Sequence, residues 1–437
     1  MNRHRSLSYR CKVSACVCLL ALVFGFLVPI VAFAQSAIAD EQKIATQIDK
    51  DRDGMIAMLE KVVNIESPTE DLAGVKAVGA FFRKEFDALG MKTRWIDMPA
   101  AQNRAGHLIA ETSGKKGKRI LIIGHMDTVL RGEKFRREGD KVFGTGIADM
   151  KGGIVMIVFA LKAMHAAGAL KDSQITVLLT GDEEDNCDPI SICRGDMIEA
   201  AKRSDLVLSF EGTVGNTATV GRRGASSWTI EIDSKTGHSS QIFKPAMGDG
   251  GIFEASRILN EFRTQLGGEE YLTFNPSLIV GGTTATAKNA EGNATGKTNV
   301  VAAKVVIDGD LRFISEEQKE RTRAKMREIV AKNLPGTTAK ITFFDSIPAM
   351  TPVAGNYDLL KQLDQVSREL GFGPVTALDP GERGAGDIAY ISNLLPSLDG
   401  IGIGGGGNSH AKGEYATVDR LAELTKRGTV LIYRLTR

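Results

Sequence analysis

Hydrophobic and polar positions fall into three patterns along the chain, each pointing to a different kind of structure. From Ala39 to about Glu60, and again from about Leu72 to Leu89, the spacing is helical, which predicts an amphipathic helix in each stretch. The next pattern is the short, unbroken apolar run. Arg119–Gly124, Gln174–Thr180 and Leu206–Phe210 are of this kind, and between the first two Gly152 to Ala167 has helical length. Such runs predict buried strands. Strands separated by helices predict an α/β layer with a mostly parallel sheet, in which ligands bind beyond the carboxyl ends of the strands.

From about Gly224 the period becomes two. Trp228, Ile230 and Ile232 alternate with polar residues, as do Val305, Ile307, Gly309, Leu311 and Phe313. This predicts strands with one wet face. Leu278 to Val280 and Ala339 to Phe344 complete a set of four strands. A helix is expected near Gly251 to Gln265. A second is opened by the capping box Ser315-Glu316-Glu317-Gln318 and runs to about Asn333. The order β-α-β-β-α-β predicts a split-βαβ, ferredoxin-like α+β domain. It is expected to interrupt the α/β domain, giving a first catalytic part over 35–223, an insert over 224–344 and a second catalytic part over 345–437.

The first 34 residues stand apart. They carry Arg3, Arg5, Arg10 and Lys12, no Asp or Glu, and an apolar run from Val13 to the small-residue site Ala32-Phe33-Ala34. This reads as a secretory signal cleaved after Ala34, giving a secreted or periplasmic protein. The alternative is a retained anchor, because the run approaches spanning length. Removing those four positive charges turns the formal net charge of +2 into −2 and leaves no electrostatic case for nucleic acid. No later stretch is long and apolar enough to span a bilayer, so no membrane association is expected after cleavage. Cys187 and Cys193 remain beyond the signal. In an exported chain they permit one disulfide, with two free thiols as the alternative.

Candidate chemistry collects at the strand ends. Histidine is scarce: beyond the signal only His107, His125, His165, His238 and His410 occur in the 437 residues. His125-Met126-Asp127 follows the first buried strand, so an extended backbone lets Asp127 orient the His125 ring. Gly144 to Gly153 is a Gly-rich loop opening a helix. Its spacing fits no nucleotide fingerprint, and Asp149 within it would repel phosphate, so a carboxylate ligand suits the place. Asp182-Glu183-Glu184 ends the second strand, Glu211 the third, and His410 lies beyond the Gly404–Gly407 stretch. Taken singly, each has a bland reading as a solvated turn. Together they read as mixed His and carboxylate ligands suited to zinc, with one acid left free to accept a proton.

In this order, Gly-His-x-Asp, Gly-x-x-Asp-Met-Lys-Gly-Gly, Asp-Glu-Glu, Ser-Phe-Glu and the late His resemble the motifs of a two-zinc amidohydrolase and carboxypeptidase family. That family includes carboxypeptidase G, aminoacylase, succinyl-diaminopimelate desuccinylase and the tripeptidase. The likeness covers nearly the whole chain after the signal and is greatest to the glutamate carboxypeptidases. It implies a zinc-exopeptidase-like catalytic domain with an inserted lid and dimerisation domain, a homodimer, and two Zn2+ per chain, with Co2+ or Mn2+ possible. By the same resemblance His125, Asp149 and Glu211 hold one metal and Asp149, Glu184 and His410 the other. Asp127 orients His125 and Glu183 is the general base. In the insert, His238 resembles the oxyanion donor, often acting on the partner subunit's site. Asn299 resembles a substrate contact, and Arg312 the clamp for the substrate α-carboxylate. The implied reaction is cleavage of the amide bond to a C-terminal amino acid in a small peptide or N-acyl amino acid. An N-acyl-amino-acid deacylase is the alternative, and a non-catalytic binding protein of the same fold a distant one. Glu184-Asp185-Asn186-Cys187-Asp188-Pro189 departs from the family's Gly/Ser-rich continuation, so the helix after the base is expected to begin differently.

Overall fold

The computed structural model describes residues 39–437 apart from Asn289; the expected signal and its cleavage site lie outside the described residues. Helix α1 (39–50) is separated by Asp51 from α2 (Arg52–Val63), so the single helix expected from Ala39 to Glu60 is two. Helix α3 (Leu72–Ala88) begins where the Asp71 carboxylate accepts from the Gly74 N–H at 2.9 Å, a side-chain cap for an otherwise orphan donor. Strands β1 (Lys92–Ile96), β2 (His107–Glu111) and β3 (Lys116–His125) follow, then α4 (Gly152–Ala166), β4 (Ser173–Thr180), α5 (Gly195–Lys202) and β5 (Leu206–Ser209). The sheet order is β1-β2-β4-β3-β5, with Ser397–Leu398 on the far edge. β2 is antiparallel to both β1 and β4, and the other pairings are parallel, so β2 alone opposes the common direction.

The unbroken apolar run of β3 has a direct cause. Ile120 and Ile122 enter the core beneath α4, while Leu121 and Ile123 enter a second core on the opposite face with Met197, Ala200 and Ile388. A strand covered on both sides has no polar position to spare. The carboxyl ends of β3, β4 and β5 therefore emerge side by side from a dry interior.

The second sheet is built from β6 (Gly224–Ser234), α6 (Gly251–Leu266), β7 (Thr273–Gly282), β8 (Lys304–Phe313), α7 (Glu316–Val330) and β9 (Thr337–Asp345). Its order, β7-β8-β6-β9, is antiparallel throughout, which is the ferredoxin-like arrangement. One face is covered: Trp228, Ile230 and Ile232 pack on Ile258 and Phe262 of α6 and on Met326 and Ile329 of α7. The indole N–H of Trp228 donates to the Asp310 carbonyl at 2.9 Å. At the start of α7, Ser315 Oγ accepts from the Gln318 N–H, and the Gln318 side chain returns to the N–H of Ile314. Two features were not anticipated. β7 is far longer than Leu278–Val280, and a hairpin, Thr284–Lys288 with Glu291–Thr295, stands between β7 and β8. Helices α8 (Ala354–Glu369) and α9 (Leu421–Leu435) return the chain to the first layer. No helix among the described residues is long and apolar enough to cross a membrane.

After β4 the chain does begin its next helix late, at Ile190–Cys193, and Cys187 and Cys193 are joined by a disulfide with Cα atoms 6.0 Å apart. The closed loop is short, so its restriction of the unfolded chain contributes about 2 kcal/mol. Thiol titration of the denatured, unreduced chain expressed from Gln35 should find no free thiol. Replacing both cysteines by serine should lower unfolding stability by about that amount in a denaturant titration. Two titratable thiols per chain would remove the bridge.

Candidate metal centre

His125 is the last residue of β3 and is buried. Its Nδ1 lies 3.0 Å from the Asp127 backbone carbonyl, an atom that can only accept, so Nδ1 carries the hydrogen. The Asp127 carboxylate is further off, at 3.5 Å. The ring is thus oriented mainly by the Asp127 carbonyl, where its carboxylate was expected. Nε2 faces Asp149 Oδ1 at 3.1 Å and Glu211 Oε1 at 3.6 Å. A second imidazole repeats the arrangement: His410 Nε2 lies 3.1 Å from Asp149 Oδ2 and 3.1 Å from Glu184 Oε2. Asp149 stands between the two histidines, one oxygen toward each. His125, Asp149 and Glu184 also lie close enough together for one ion to reach all three.

The backbone delivers these groups from separate places. Asp149 lies in the turn that opens α4, entered through Gly146 in the left-handed region at φ 76°. A Cβ on Gly153 would lie 2.0 Å from the Phe210 carbonyl oxygen, so only glycine lets α4 start this close to the chain that carries Glu211. Glu183 and Glu184 follow β4. Their amide N–H groups each donate to the Asp127 carboxylate at 3.1 Å, and Thr69 Oγ1 donates to it at 2.7 Å. Burial works against the Asp127 charge, but the bonds from His125, Thr69 and the backbone outweigh it and hold the carboxyl below its usual range. His410 is exposed and sits at φ 64°, an uncommon conformation for a residue with a Cβ and one met at functional sites.

The electrostatics show a cluster of carboxylates that calls for positive charge among them. Burial pushes the Glu183 and Glu184 carboxyls up; the charges of Asp387, Glu211 and Glu184 add to the rise at Glu183, and that of Asp149 adds to it at Glu184. Glu211 is pushed up to about 7 by burial and by Asp149. His410 is raised to about 10 by its hydrogen bonds to Asp149 and Glu184. Asp149, although buried, is held well below the usual carboxylate range by the two histidines. Without a metal the two histidines hold protons and supply the positive charge these carboxylates need; a divalent cation among the same groups would supply it instead and leave the imidazoles neutral. Nitrogen and carboxylate donors of this kind fit divalent zinc, cobalt or manganese.

The structure brings together His125, Asp127, Asp149, Glu183, Glu184, Glu211 and His410. It places the remaining candidates in the second sheet. His238 lies in an exposed turn, where its Nδ1 pairs with Ser240 Oγ at 2.9 Å; Asn299 is its neighbour, accepting the Ser239 N–H at 2.9 Å. Arg312 lies on the wet face of β8, where Nε donates to Asp310 Oδ2 at 3.0 Å. It lines a pocket of about 160 Å³ with Arg223 and with Gly381, Glu382, Arg383 and Gly384 of the first layer. A larger cavity, about 810 Å³, lies elsewhere, between Phe313, Ile347 and Leu394, and contains none of the candidate ligands.

One residue that organises the centre had not been singled out. Glu414 is buried, and its carboxylate accepts from the N–H groups of Gly146, Ala148 and Asp149 at 2.7, 2.9 and 3.1 Å. Burial pushes its carboxyl up to about 7 against those bonds. Its only sequence signal is its place four residues after His410.

Residues 121–434 match the model of peptidase family M20/M25/M40. Among curated relatives, the chain is 29% identical over 377 residues to carboxypeptidase G2 of Pseudomonas sp. (strain RS-16), covering 84% of this chain and 86% of that one. It is 26% identical over 389 residues to succinyl-diaminopimelate desuccinylase of Gluconobacter oxydans (strain 621H), covering 85% and 94%. Among solved structures, it resembles the YXEP protein of Bacillus subtilis, described as a dinuclear metal binding peptidase from the M20 family. The TM-score there is 0.61 at 14% identity, over 89% of this chain and 99% of that one. The chain therefore belongs to peptidase family M20/M25/M40, and the protein is a hydrolase of the metallopeptidase and amidohydrolase kind.

Proposed function

We propose that the protein is a dinuclear zinc carboxypeptidase, cleaving the amide bond between a C-terminal amino acid and the rest of a small peptide or N-acyl amino acid. The observation that carries this reading is Asp149, with one carboxylate oxygen 3.1 Å from each of two imidazole nitrogens. His125, Asp149 and Glu211 would hold one ion, and Asp149, Glu184 and His410 the other. Two ions held there would supply a lowered pKa for a bound water and polarisation of the scissile carbonyl. Glu183 has no histidine partner, so it is the acid left free to take a proton from the attacking water and pass it to the leaving amine. Asp127 fixes the His125 ring and the Glu183–Glu184 backbone together.

Recognition of a free carboxylate is supported by the pocket where Arg312 meets Arg223 and Arg383. A planar guanidinium suits a carboxylate better than an ammonium does. His238 is the proposed oxyanion donor and Asn299 a substrate contact, brought to the metals when two copies pair through the second sheet. Export by the N-terminal signal completes the reading. The likeness to a desuccinylase supports a second one, hydrolysis of N-acyl amino acids with the same metal ligands and a different pocket. Hydrolysis of N-acyl-glutamate, N-acyl-alanine, N-acyl-leucine and dipeptides by the zinc-loaded protein separates the two.

Chelation should abolish amide hydrolysis and zinc should restore it; full activity in protein shown to be metal-free would refute the metal-dependent mechanism. Glu183→Gln should keep both metals and lose turnover, because an amide fills the same space and accepts no proton. Glu184→Gln should instead lower metal occupancy. The reverse outcome would exchange the two roles.

Arg312→Ala should lower kcat/KM for substrates with a free C-terminal carboxylate by about 30- to 1000-fold, roughly 2–4 kcal/mol, and spare their amidated counterparts. Equal losses on both would remove the carboxylate clamp. His238→Ala should lower kcat more than it raises KM, as expected of a donor acting in the transition state. Mixing inactive Glu183→Gln and His238→Ala chains should recover activity if the histidine serves the partner's site, and no recovery would confine it to its own chain.

A further inference from the structure

Next to the Asp182-Glu183-Glu184 turn, bonded to Asp182, lies a fully buried cation. Arg194 directly follows Cys193, and each guanidinium nitrogen is engaged. Nε donates to Asp387 Oδ1 at 2.7 Å, and Nη1 donates to Asp182 Oδ1 at 2.6 Å and to the Cys193 carbonyl at 3.2 Å. Nη2 donates to the Asp182 backbone carbonyl at 3.1 Å and to Asn186 Oδ1. Asp387 is itself fixed by Thr180 Oγ1 at 2.7 Å, at the end of β4.

The acceptors at positions 182 and 186 bracket Glu183 and Glu184. From the opposite side, the amide N–H groups of those two glutamates reach the Asp127 carboxylate. The turn is thus clamped between an anion that takes its N–H groups and a cation that grips the chain just before and just after it. The disulfide shortens the return path. The chain leaves the turn at Cys187 and is back at Arg194 one residue after Cys193, whose carbonyl also lies 2.9 Å from His107 Nε2.

A buried ion pair is a poor device for stability alone, since apolar packing of the same volume often does as well or better. Asp182 Oδ2 is even left buried without a hydrogen-bond partner. What this cluster provides is a fixed direction for the adjoining backbone. A planar five-donor fork can hold acceptors on two sides of a turn, and a single ammonium cannot.

We propose that Arg194 is a positioning residue that sets the geometry of Glu183, and that the Cys187–Cys193 disulfide is the brace that keeps Arg194 in place. The proposal rests on the reading of Glu183 as the general base. A base displaced by about 1 Å loses on the order of 100-fold in rate. Arg194→Gln should therefore lower kcat by about that factor, leave KM within about threefold and keep two metals per chain. Arg194→Lys, which keeps the charge and loses the fork, should fall between the two. The Cys187→Ser, Cys193→Ser pair should lower kcat by roughly tenfold with the same split, and should add nothing further in an Arg194→Gln background. Hydrogen exchange, which needs no turnover, should show faster opening of the Glu183 and Glu184 amides in each variant.

Full kcat in a folded Arg194→Gln protein, or a loss confined to KM or metal content, overturns the positioning role. Additive losses overturn the brace. If Arg194→Gln does not fold, Arg194→Lys and the serine pair decide by the same split. A wild-type protein that hydrolyses no amide while exchange still quickens in the variants refutes the proposed function and leaves the clamp. Unchanged exchange with lost activity refutes the clamp alone.

Discussion

Repulsion among buried carboxylates is the constraint on which the rest of the structure depends. Asp149, Glu183, Glu184 and Glu211 meet in a largely enclosed space where water screens their charges poorly, and the Nε2 atoms of two imidazoles face Asp149. Left to itself, such a group would relax apart or take up protons. It cannot relax, because each member comes from a different point on a sheet covered on both faces. His125 ends β3, the glutamate pair follows β4, Glu211 follows β5 and Asp149 opens α4. Moving one of them apart would move a strand through a packed core. The fold keeps the repulsive arrangement in being, and protons on the histidines, or cations in their place, would relieve it.

Around the ligands stands a second set of charged groups that hold backbone. Asp127 takes two N–H groups from the glutamate turn, Glu414 takes three from the loop that carries Asp149, and Arg194 takes carbonyls and side-chain oxygens behind the glutamates. Each satisfies polar groups that a loop at the end of a buried strand would otherwise leave unpaired. The loops nearest the ligands are thereby nearly as constrained as the strands that precede them. That suits chemistry in which a small displacement of the base costs a large factor in rate.

Most of the body was legible in the sequence because its causes are local. Unbroken apolar runs marked β3, β4 and β5, since a strand covered on both faces leaves no polar position. Period-two alternation marked β6 and β8, since one face is wet. The ligand residues stood out because polar groups cluster directly after those runs. What was missed depends on distant partners. β1 and β2 are short, and their pattern carries little by itself; β7 is interrupted by Pro276 and paired through a shifted register. Glu414 and Arg194 gain their meaning from loops 268 and 12 residues away, which no local period encodes. His125 shows the same limit on a smaller scale. Spacing alone placed Asp127 beside it, but only the backbone path decides that the carbonyl comes closer than the carboxylate.

The two proposed ligand sets share Asp149 but are not equally prepared. The first is built from β3 and the chain just after β5, with His125 buried and its ring fixed by a carbonyl. The second depends on His410, whose side chain is 54% exposed and whose backbone is held in the left-handed region. That conformation costs about 1–2 kcal/mol, and its hydrogen-bond partners near the centre are the carboxylates themselves. A ligand on such a loop has to be ordered by what it binds, whereas His125 is ordered by the sheet. Preorganisation reduces the cost of binding, so the first set should hold its ion more firmly than the second. The shared carboxylate would couple them, because Asp149 Oδ1 faces His125 and Asp149 Oδ2 faces His410. The centre is therefore assembled from the rigid sheet outward, with the exposed histidine completing it.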